Sequence, residues 1–369
     1  MIEAMPSEDT LHHGVTRRAL LAAAAVGAIG LVVPVRTAGA APRLAWEVAV
    51  ESSPQAIQAN DPLPSWNDGP RKRAILDFVA AATNEQTTDF VPVAERIATF
   101  DMDGTLWVEM PIYTENAFVY DRLRALAANN PDWNTTEPYK SVFATDGDGL
   151  LSLNDQQWEE VMAATQVGLT IEEYRSVVGE WLASAKHPRF GELYLDLIYQ
   201  PMLEVMAYLR ANEFRTYIVS GSGQEFMRAF ADATFGIAPE QVIGTTFELK
   251  YAMGSNGVPD ITIESAPLTD DNFGGKPEDI ALWIGLRPAA AFGNSTGDRQ
   301  MLEWANGGNR AMLMMLVYHD DAVREYAYGP AGGLPNTHVG AFTQNLMDEA
   351  NGRGWFVISM KDDWKQIFP

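Results

Sequence analysis

The stretch Arg96-Ile97-Ala98-Thr99-Phe100-Asp101-Met102-Asp103-Gly104-Thr105-Leu106 decides the reading of this chain. A short apolar run stops at two aspartates two residues apart, with a glycine directly behind them. The run predicts a buried β-strand. In open α/β sheets the reactive groups gather at the carboxyl ends of strands, so Asp101 and Asp103 stand where chemistry is expected. Two carboxylates so placed can divide labour, one as nucleophile and one as acid/base, provided a cation offsets their repulsion. Gly104 permits the turn that brings both inward.

Outward from that point the same design recurs. A predicted helix over 201–211 leads to a predicted strand over 216–219, then the Gly-rich turn Ser220-Gly221-Ser222-Gly223 and another helix. A hydroxyl and free backbone N–H groups at such a turn converge on an anion. A second predicted strand, 289–292, runs into Gly293-Asn294-Ser295-Thr296-Gly297-Asp298, a set of hard oxygen ligands suited to Mg²⁺. Between the two lies Gly274-Gly275-Lys276-Pro277, ahead of a helix predicted over 277–284. A cation at a helix start opposes the helix dipole, so Lys276 needs another reason to be there.

Helix, strand and helix in alternation argue a parallel α/β sheet. Residues 312–318 and 354–359 are further strand candidates, and 245–264 reads as a β-hairpin turning at Gly254, Asn256 and Gly257. From Trp107 to 198 the pattern is helical: Val119, Leu123 and Leu126 share one face, and Thr170 with Glu173 forms a capping-box signature. Before the first strand, 70–82 reads as a helix with Pro in its first turn. Residues 41–69, rich in Pro, Asn and Ser without a period, read as a surface lead-in.

In this order and with these spacings, the four polar clusters resemble the four motifs of the haloacid dehalogenase superfamily, in its phosphatase branch, over roughly residues 96–316. The resemblance implies an α/β fold in which 70–106 and 199–369 form a Rossmann-like, doubly wound parallel sheet and 107–198 an inserted helical cap domain of the C1 type. It also implies Mg²⁺ dependence and a phospho-aspartyl intermediate. Carried over residue by residue, it makes Asp101 the nucleophile and a metal ligand. Asp103 becomes the general acid/base and binds metal through its carbonyl. Ser220, Gly221 and Lys276 hold the phosphoryl oxygens, and Asn294 and Asp298 complete the metal site. Many relatives carry Asp where this chain has Asn294. An amide oxygen still ligates Mg²⁺ but removes one negative charge, which leaves the split between Asn294 and Asp298 open.

Asp103 separates a phosphatase from a dehalogenase, because a leaving alkoxide needs a proton donor and a halide does not. The expectation is a Mg²⁺-dependent phosphomonoesterase acting on a small phosphate ester. A non-enzymatic phosphate-ester binding protein with a decayed metal site, or a phosphomutase of the same fold, are the alternatives.

Composition removes other classes. The 369 residues include no cysteine, which excludes thiolate catalysis, disulfide frameworks and Cys-ligated zinc. The five histidines show no ligand spacing of the H-E-x-x-H kind, which argues against a zinc hydrolase. Acidic residues number 49 against 26 basic, a net charge of −23 that repels a phosphate backbone and makes nucleic acid an improbable partner.

Thr16-Arg17-Arg18-Ala19-Leu20-Leu21 opens an alanine-rich apolar run ending near Val33, followed by the small-residue pattern Ala38-Gly39-Ala40. Residues 1–40 read as an export signal cleaved after Ala40, which predicts a periplasmic or secreted protein. The run, about 15 residues, is shorter than the roughly 20 needed to span a bilayer, so no stable membrane anchor is expected after cleavage. The arginine pair resembles a twin-arginine signal, with Leu20 where Phe is usual and Ala22 where Lys is frequent. An ordinary secretory signal is the runner-up.

Trp107, Glu109 and Tyr113 follow the first motif closely, and two aromatics with a carboxylate could hold a cationic head group such as choline or an amine. The preferred reading is that the aromatics pack the hinge between core and cap. Lys186, His187 and Arg189 offer the opposite possibility, a contact to an anionic substrate tail.

Overall fold

The computed structural model describes residues 61–369 apart from 146, 255–256, 331 and 333–339. The expected export signal, the lead-in up to residue 60 and Asn256 of the expected hairpin turn lie outside the described residues. Among the described residues no helix is long and apolar enough to cross a membrane.

The run that opens the sequence reading is strand β1, Ile97–Phe100, with all four residues buried. It is followed by β2 (Arg215–Gly223), β3 (Val242–Met253), β4 (Pro259–Thr269), β5 (Ala290–Gly293), β6 (Leu313–Tyr318) and β7 (Phe356–Ser359). They form one sheet in the order β4-β3-β2-β1-β5-β6-β7, parallel throughout except for the antiparallel β3–β4 pair. Strand order reverses beside β1, with β2 on one side and β5 on the other, and such a switch point opens a crevice at the carboxyl ends of the strands.

Both faces of the parallel part of the sheet are covered, while the outer half of the β3–β4 hairpin is exposed. Successive side chains on a strand point to opposite faces, so Phe100, Phe292, Met315 and Val317 pack with the helices Pro70–Thr83 and Gln200–Ala211. Their neighbours Val219, Ala291, Met314 and Leu316 pack with Ile280, Met301, Leu302 and Leu346 from Gly275–Trp283, Arg299–Ala305 and Gln344–Arg353. Burial on both faces accounts for strands that read as continuous apolar runs. Phe100 and Phe292, on neighbouring strands, stack with centroids 4.4 Å apart just beneath the crevice.

Among the described residues, four α-helices occupy the sequence between β1 and residue 198: Thr114–Ala127, Tyr139–Ala144, Asp155–Gln166 and Ile171–Leu182. The Thr170–Glu173 capping box is formed as the sequence predicts, and Asn154 with Gln157 forms a second one. The helical insert meets the β3–β4 hairpin through Gly168 N to Ile263 O (2.9 Å) and Ile263 N to Leu169 O (3.0 Å).

Three details differ from the sequence reading. The segment read as a surface lead-in holds fully buried Leu63 and Trp66, with the Trp66 indole donating to Pro201 O at 3.0 Å and meeting Trp364 edge-on. Isolated anchors in a Pro-rich stretch produce no periodic signal. Strand β2 continues through the expected Gly-rich turn, because Ser220 pairs with Gly244 and Gly223 with Thr245 around a register shift. The helix expected at 277 begins at Gly275, which puts Lys276 inside its first turn.

Candidate functional site

Asp101 follows the last residue of β1, and its N–H donates to Phe292 O on β5 at 2.9 Å, tying the start of the loop to the sheet. Gly104 lies at φ +73, and a Cβ there would stand 1.9 Å from Asn294 Nδ2 and 2.6 Å from the Glu109 carboxyl. Its backbone conformation and its close neighbours both require glycine. The Gly104 carbonyl faces His319 Nε2 at 2.7 Å, and His319 Nδ1 meets Glu325 Oε2 at 3.1 Å; all three groups are enclosed by protein. This pair from beyond β6 clamps the loop that carries the two aspartates.

Lys276 is the electrostatic hub. Its buried ammonium donates to Asp101 Oδ1 at 2.6 Å, Asp298 Oδ1 at 2.7 Å and Val219 O at 2.8 Å. Burial disfavours the ammonium, yet the carboxylates of Asp101 and Asp298 hold Lys276 above the ordinary lysine range. The same crowding raises Asp101 to about 7, through burial first and the Asp298 charge second, against the opposing pull of Lys276. One ammonium between two buried carboxylates explains the lysine at the helix start: the attraction of two adjacent anions exceeds the unfavourable helix dipole.

Asp103 is held by two donors, Ser222 Oγ on Oδ2 at 2.6 Å and Trp107 Nε1 on Oδ1 at 2.9 Å. Burial raises its pKa, and these two hydrogen bonds oppose the rise. Trp107 is fully buried and stacked on Phe230 with centroids 4.9 Å apart. Of the two readings the sequence left open for Trp107, the substrate contact does not hold, since the indole has no exposed surface and is spent on orienting Asp103.

In the loop after β5, Asp298 Oδ2 accepts from the backbone N–H groups of Asn294 (2.9 Å) and Ser295 (3.0 Å), while Oδ1 faces Lys276. One oxygen holds the loop and the other faces the centre. Asn294 Nδ2 donates to Glu109 Oε1 at 2.8 Å, so the amide oxygen is the atom of Asn294 that could ligate a metal. Glu109, read from the sequence as a substrate contact, is thus engaged with the β5 loop, and burial pushes its carboxyl well above the carboxylate range.

These groups border a cavity of about 420 Å³, lined by Asp101, Asp103, Ser220, Gly221, Lys276, Asn294 and Asp298 together with Glu109 and Tyr113. Residues from the helical insert and the hairpin, among them Trp158, Met162, Phe247 and Ile263, also line it. Arg189 is not brought to it. Its guanidinium lies 4.4 Å from the Tyr326 ring centroid and donates to Ala322 O at 2.9 Å, which corrects its assignment as a substrate contact. Buried His187 is likewise engaged, with Nε2 at 2.6 Å from Met110 O.

Sequence reasoning missed Ser222, Glu115, His319 and Glu325. Ser222 carried a signal, since it lies in the same Gly-rich segment as Ser220. Glu115 accepts from Gly223 N at 2.9 Å, and burial, only partly relieved by that hydrogen bond, pushes its carboxyl up to about 7. No local pattern marks it, or the His319–Glu325 pair, as belonging to the site.

Among solved structures, the chain is similar to a protein of unknown function from Anaerococcus prevotii, at 16% identity over 70% of this chain and 92% of the other, with a TM-score of 0.47. It is similar to one of unknown function from Bordetella pertussis at 17% identity, over 72% and 98%, with a TM-score of 0.44. A substrate-bound phosphoserine phosphatase aligns at 13% identity over 70% and 98%, with a TM-score of 0.33. A comparison with curated proteins finds no match. The family model described as haloacid dehalogenase-like hydrolase matches residues 98–303. That match spans more than half of the sequence and takes in the ends of β1, β2 and β5, and the chain belongs to the haloacid dehalogenase-like hydrolase family.

Proposed function

We propose that this hydrolase is a Mg²⁺-dependent phosphomonoesterase working through a phospho-aspartyl intermediate on Asp101. The observation that carries this reading is the Lys276 ammonium, 2.6 Å from Asp101 and 2.7 Å from Asp298, with Asp103 held by two donors in the same cavity. A carboxylate attacks an anionic phosphate only where fixed positive charge and hydrogen-bond donors offset the repulsion.

The chemistry then balances as two displacements. An Asp101 carboxylate oxygen forms a bond to phosphorus as the bond to the ester oxygen breaks, and Asp103 gives its proton to the departing alkoxide. Asp103, now ionised, takes a proton from water, whose oxygen attacks phosphorus; the bond to Asp101 breaks and inorganic phosphate leaves. The raised pKa of Asp103 favours the protonated form that the first step needs. Ser220 and Gly221, at the cavity end of β2, supply a hydroxyl and a backbone group for the phosphoryl oxygens beside Lys276.

The residues present fit Mg²⁺. They offer hard oxygen donors, and burial together with the Asp298 charge still raises Asp101 even with Lys276 between the two carboxylates, so a further cation would be favoured there. Mg²⁺ is commonly held by one or two carboxylates plus substrate phosphate. Asp101, the Asp103 carbonyl, Asn294 and Asp298 would hold it, and it would neutralise charge on the phosphoryl oxygens. The insert over 107–198 is proposed as a cap over the cavity, and residues 1–40 as a signal that exports the protein.

The test is hydrolysis of p-nitrophenyl phosphate by the purified protein. The expected result is turnover that EDTA stops and Mg²⁺ restores, and that Asp101→Asn abolishes in a folded protein. A Mg²⁺-supplied wild type that binds phosphate esters without turning them over would replace this account with a binding protein.

A further inference from the structure

The catalytic residues leave much of the cavity's charge unexplained. Among the described residues its lining carries nine carboxylates against one cation, Lys276, which Asp101 and Asp298 already engage. Outside the centre, Glu225 is paired with Arg175 and Arg228. Glu115, Asp155, Glu159 and Asp270 have no ion-pair partner among the described residues.

Glu115 stands apart from the others. It is only 5% exposed, and its Oε1 has no hydrogen-bond partner, although Oε2 is fixed by Gly223 N at 2.9 Å. A buried carboxylate oxygen without a partner costs free energy that a bound donor would recover. Its position suits a leaving group: Asp103 is held by Ser222 and Glu115 by the next residue, Gly223, and consecutive Cα atoms are about 3.8 Å apart. An ester oxygen within reach of Asp103 therefore carries its next few atoms toward Glu115. Tyr113, Trp158 and Phe247 supply aromatic surface in the same cavity, which suits a cation with an alkyl stem.

We propose that the alcohol portion of the substrate carries a protonated alkylammonium group, held by Oε1 of Glu115 a short alkyl spacer away from the ester oxygen. This deepens the phosphomonoesterase reading and rests on it. An anionic tail has no place here, since among the described residues no second cation lines the cavity, and an amino-acid carboxylate would face Glu115 and Asp155 unpaired.

The experiment compares phosphoethanolamine with propyl phosphate, its isostere with a methyl group in place of the ammonium, using the Mg²⁺-supplied full chain. A charge-assisted hydrogen bond predicts a kcat/KM ratio favouring the ammonium ester by about tenfold or more. In Glu115→Gln that ratio is expected to fall toward one, whatever happens to the absolute rates. A wild-type ratio near one, or a ratio that survives in Glu115→Gln, overturns the proposal while p-nitrophenyl phosphate turnover still supports the phosphatase reading. If no ester is turned over, that reading fails separately, and calorimetry with ethylammonium decides the subsite. Binding that Glu115→Gln loses supports the subsite, and absent binding overturns it.

Discussion

Replacing Asp103 by Asn tests the division of labour between the two aspartates, and the structure shows why the fold should tolerate it. The carboxylate accepts from Trp107 Nε1 at 2.9 Å and from Ser222 Oγ at 2.6 Å. An indole N–H only donates, so the Asn oxygen must face Trp107, and the new NH₂ group then points at Ser222, whose hydroxyl can rotate to accept. Both partners stay satisfied and only the transferable proton is lost. General acid assistance is worth about 10²–10⁴-fold, or roughly 3–5 kcal/mol of barrier. Alkyl phosphates should lose that whole factor in single-turnover release of the alcohol. Aryl phosphates, whose phenolate leaves with little help, should lose far less in the same step and then stall as phospho-enzyme, visible as a burst of p-nitrophenolate. Equal slowing of alkyl and aryl substrates with no burst, in a variant with wild-type thermal stability, would withdraw the acid/base role and leave Asp103 as an organiser of the loop.

Two further outcomes follow from particular contacts. Asn294→Asp sets a second carboxyl against Glu109, 2.8 Å away and already raised well above its usual range by burial, so the pair shares a proton in the folded state. Native groups that hold protons above their unfolded pKa lose stability as pH rises, so the metal-free variant's Tm should fall more steeply than that of wild type between about pH 5 and 8, and Asn294→Asp with Glu109→Gln should restore the wild-type slope. For export, cell fractionation should find the protein outside the cytoplasm and lacking residues 1–40; Arg17→Lys with Arg18→Lys should retain it inside, and unaffected export would remove the twin-arginine route alone.

The parts of the site legible in the sequence share one physical cause. Phe100, Val219 and Phe292 end apolar runs because their strands are buried on both faces, and the polar residues behind them fall at the switch point, so Asp101, Ser220 and Asn294 could be placed together without coordinates. Lys276 was legible because it violates a local preference at a helix start. The sequence left Trp107 and Arg189 between two readings, because an aromatic beside a motif looks the same whether it lines a cavity or props a buried carboxylate, and a guanidinium near a cap looks the same when it lies on a tyrosine. Glu115, His319 and Glu325 reach the site through tertiary contacts, across separations such as the 215 residues between His319 and Gly104, that no local pattern encodes. The continuation of β2 past Ser220 depends on pairing with β3, which glycine-rich composition conceals.

The central claim is covalent: the phosphoryl group rests on Asp101. Rapid acid quench of Asp103→Asn with p-nitrophenyl phosphate and Mg²⁺, followed by peptide mass spectrometry, reads this directly. The account predicts one added phosphoryl group on the peptide that contains Asp101, labile to hydroxylamine and absent when Asp101→Asn is combined with it. A phosphoryl group found on another residue, or none during a turnover that survives in Asp101→Asn, would contradict it.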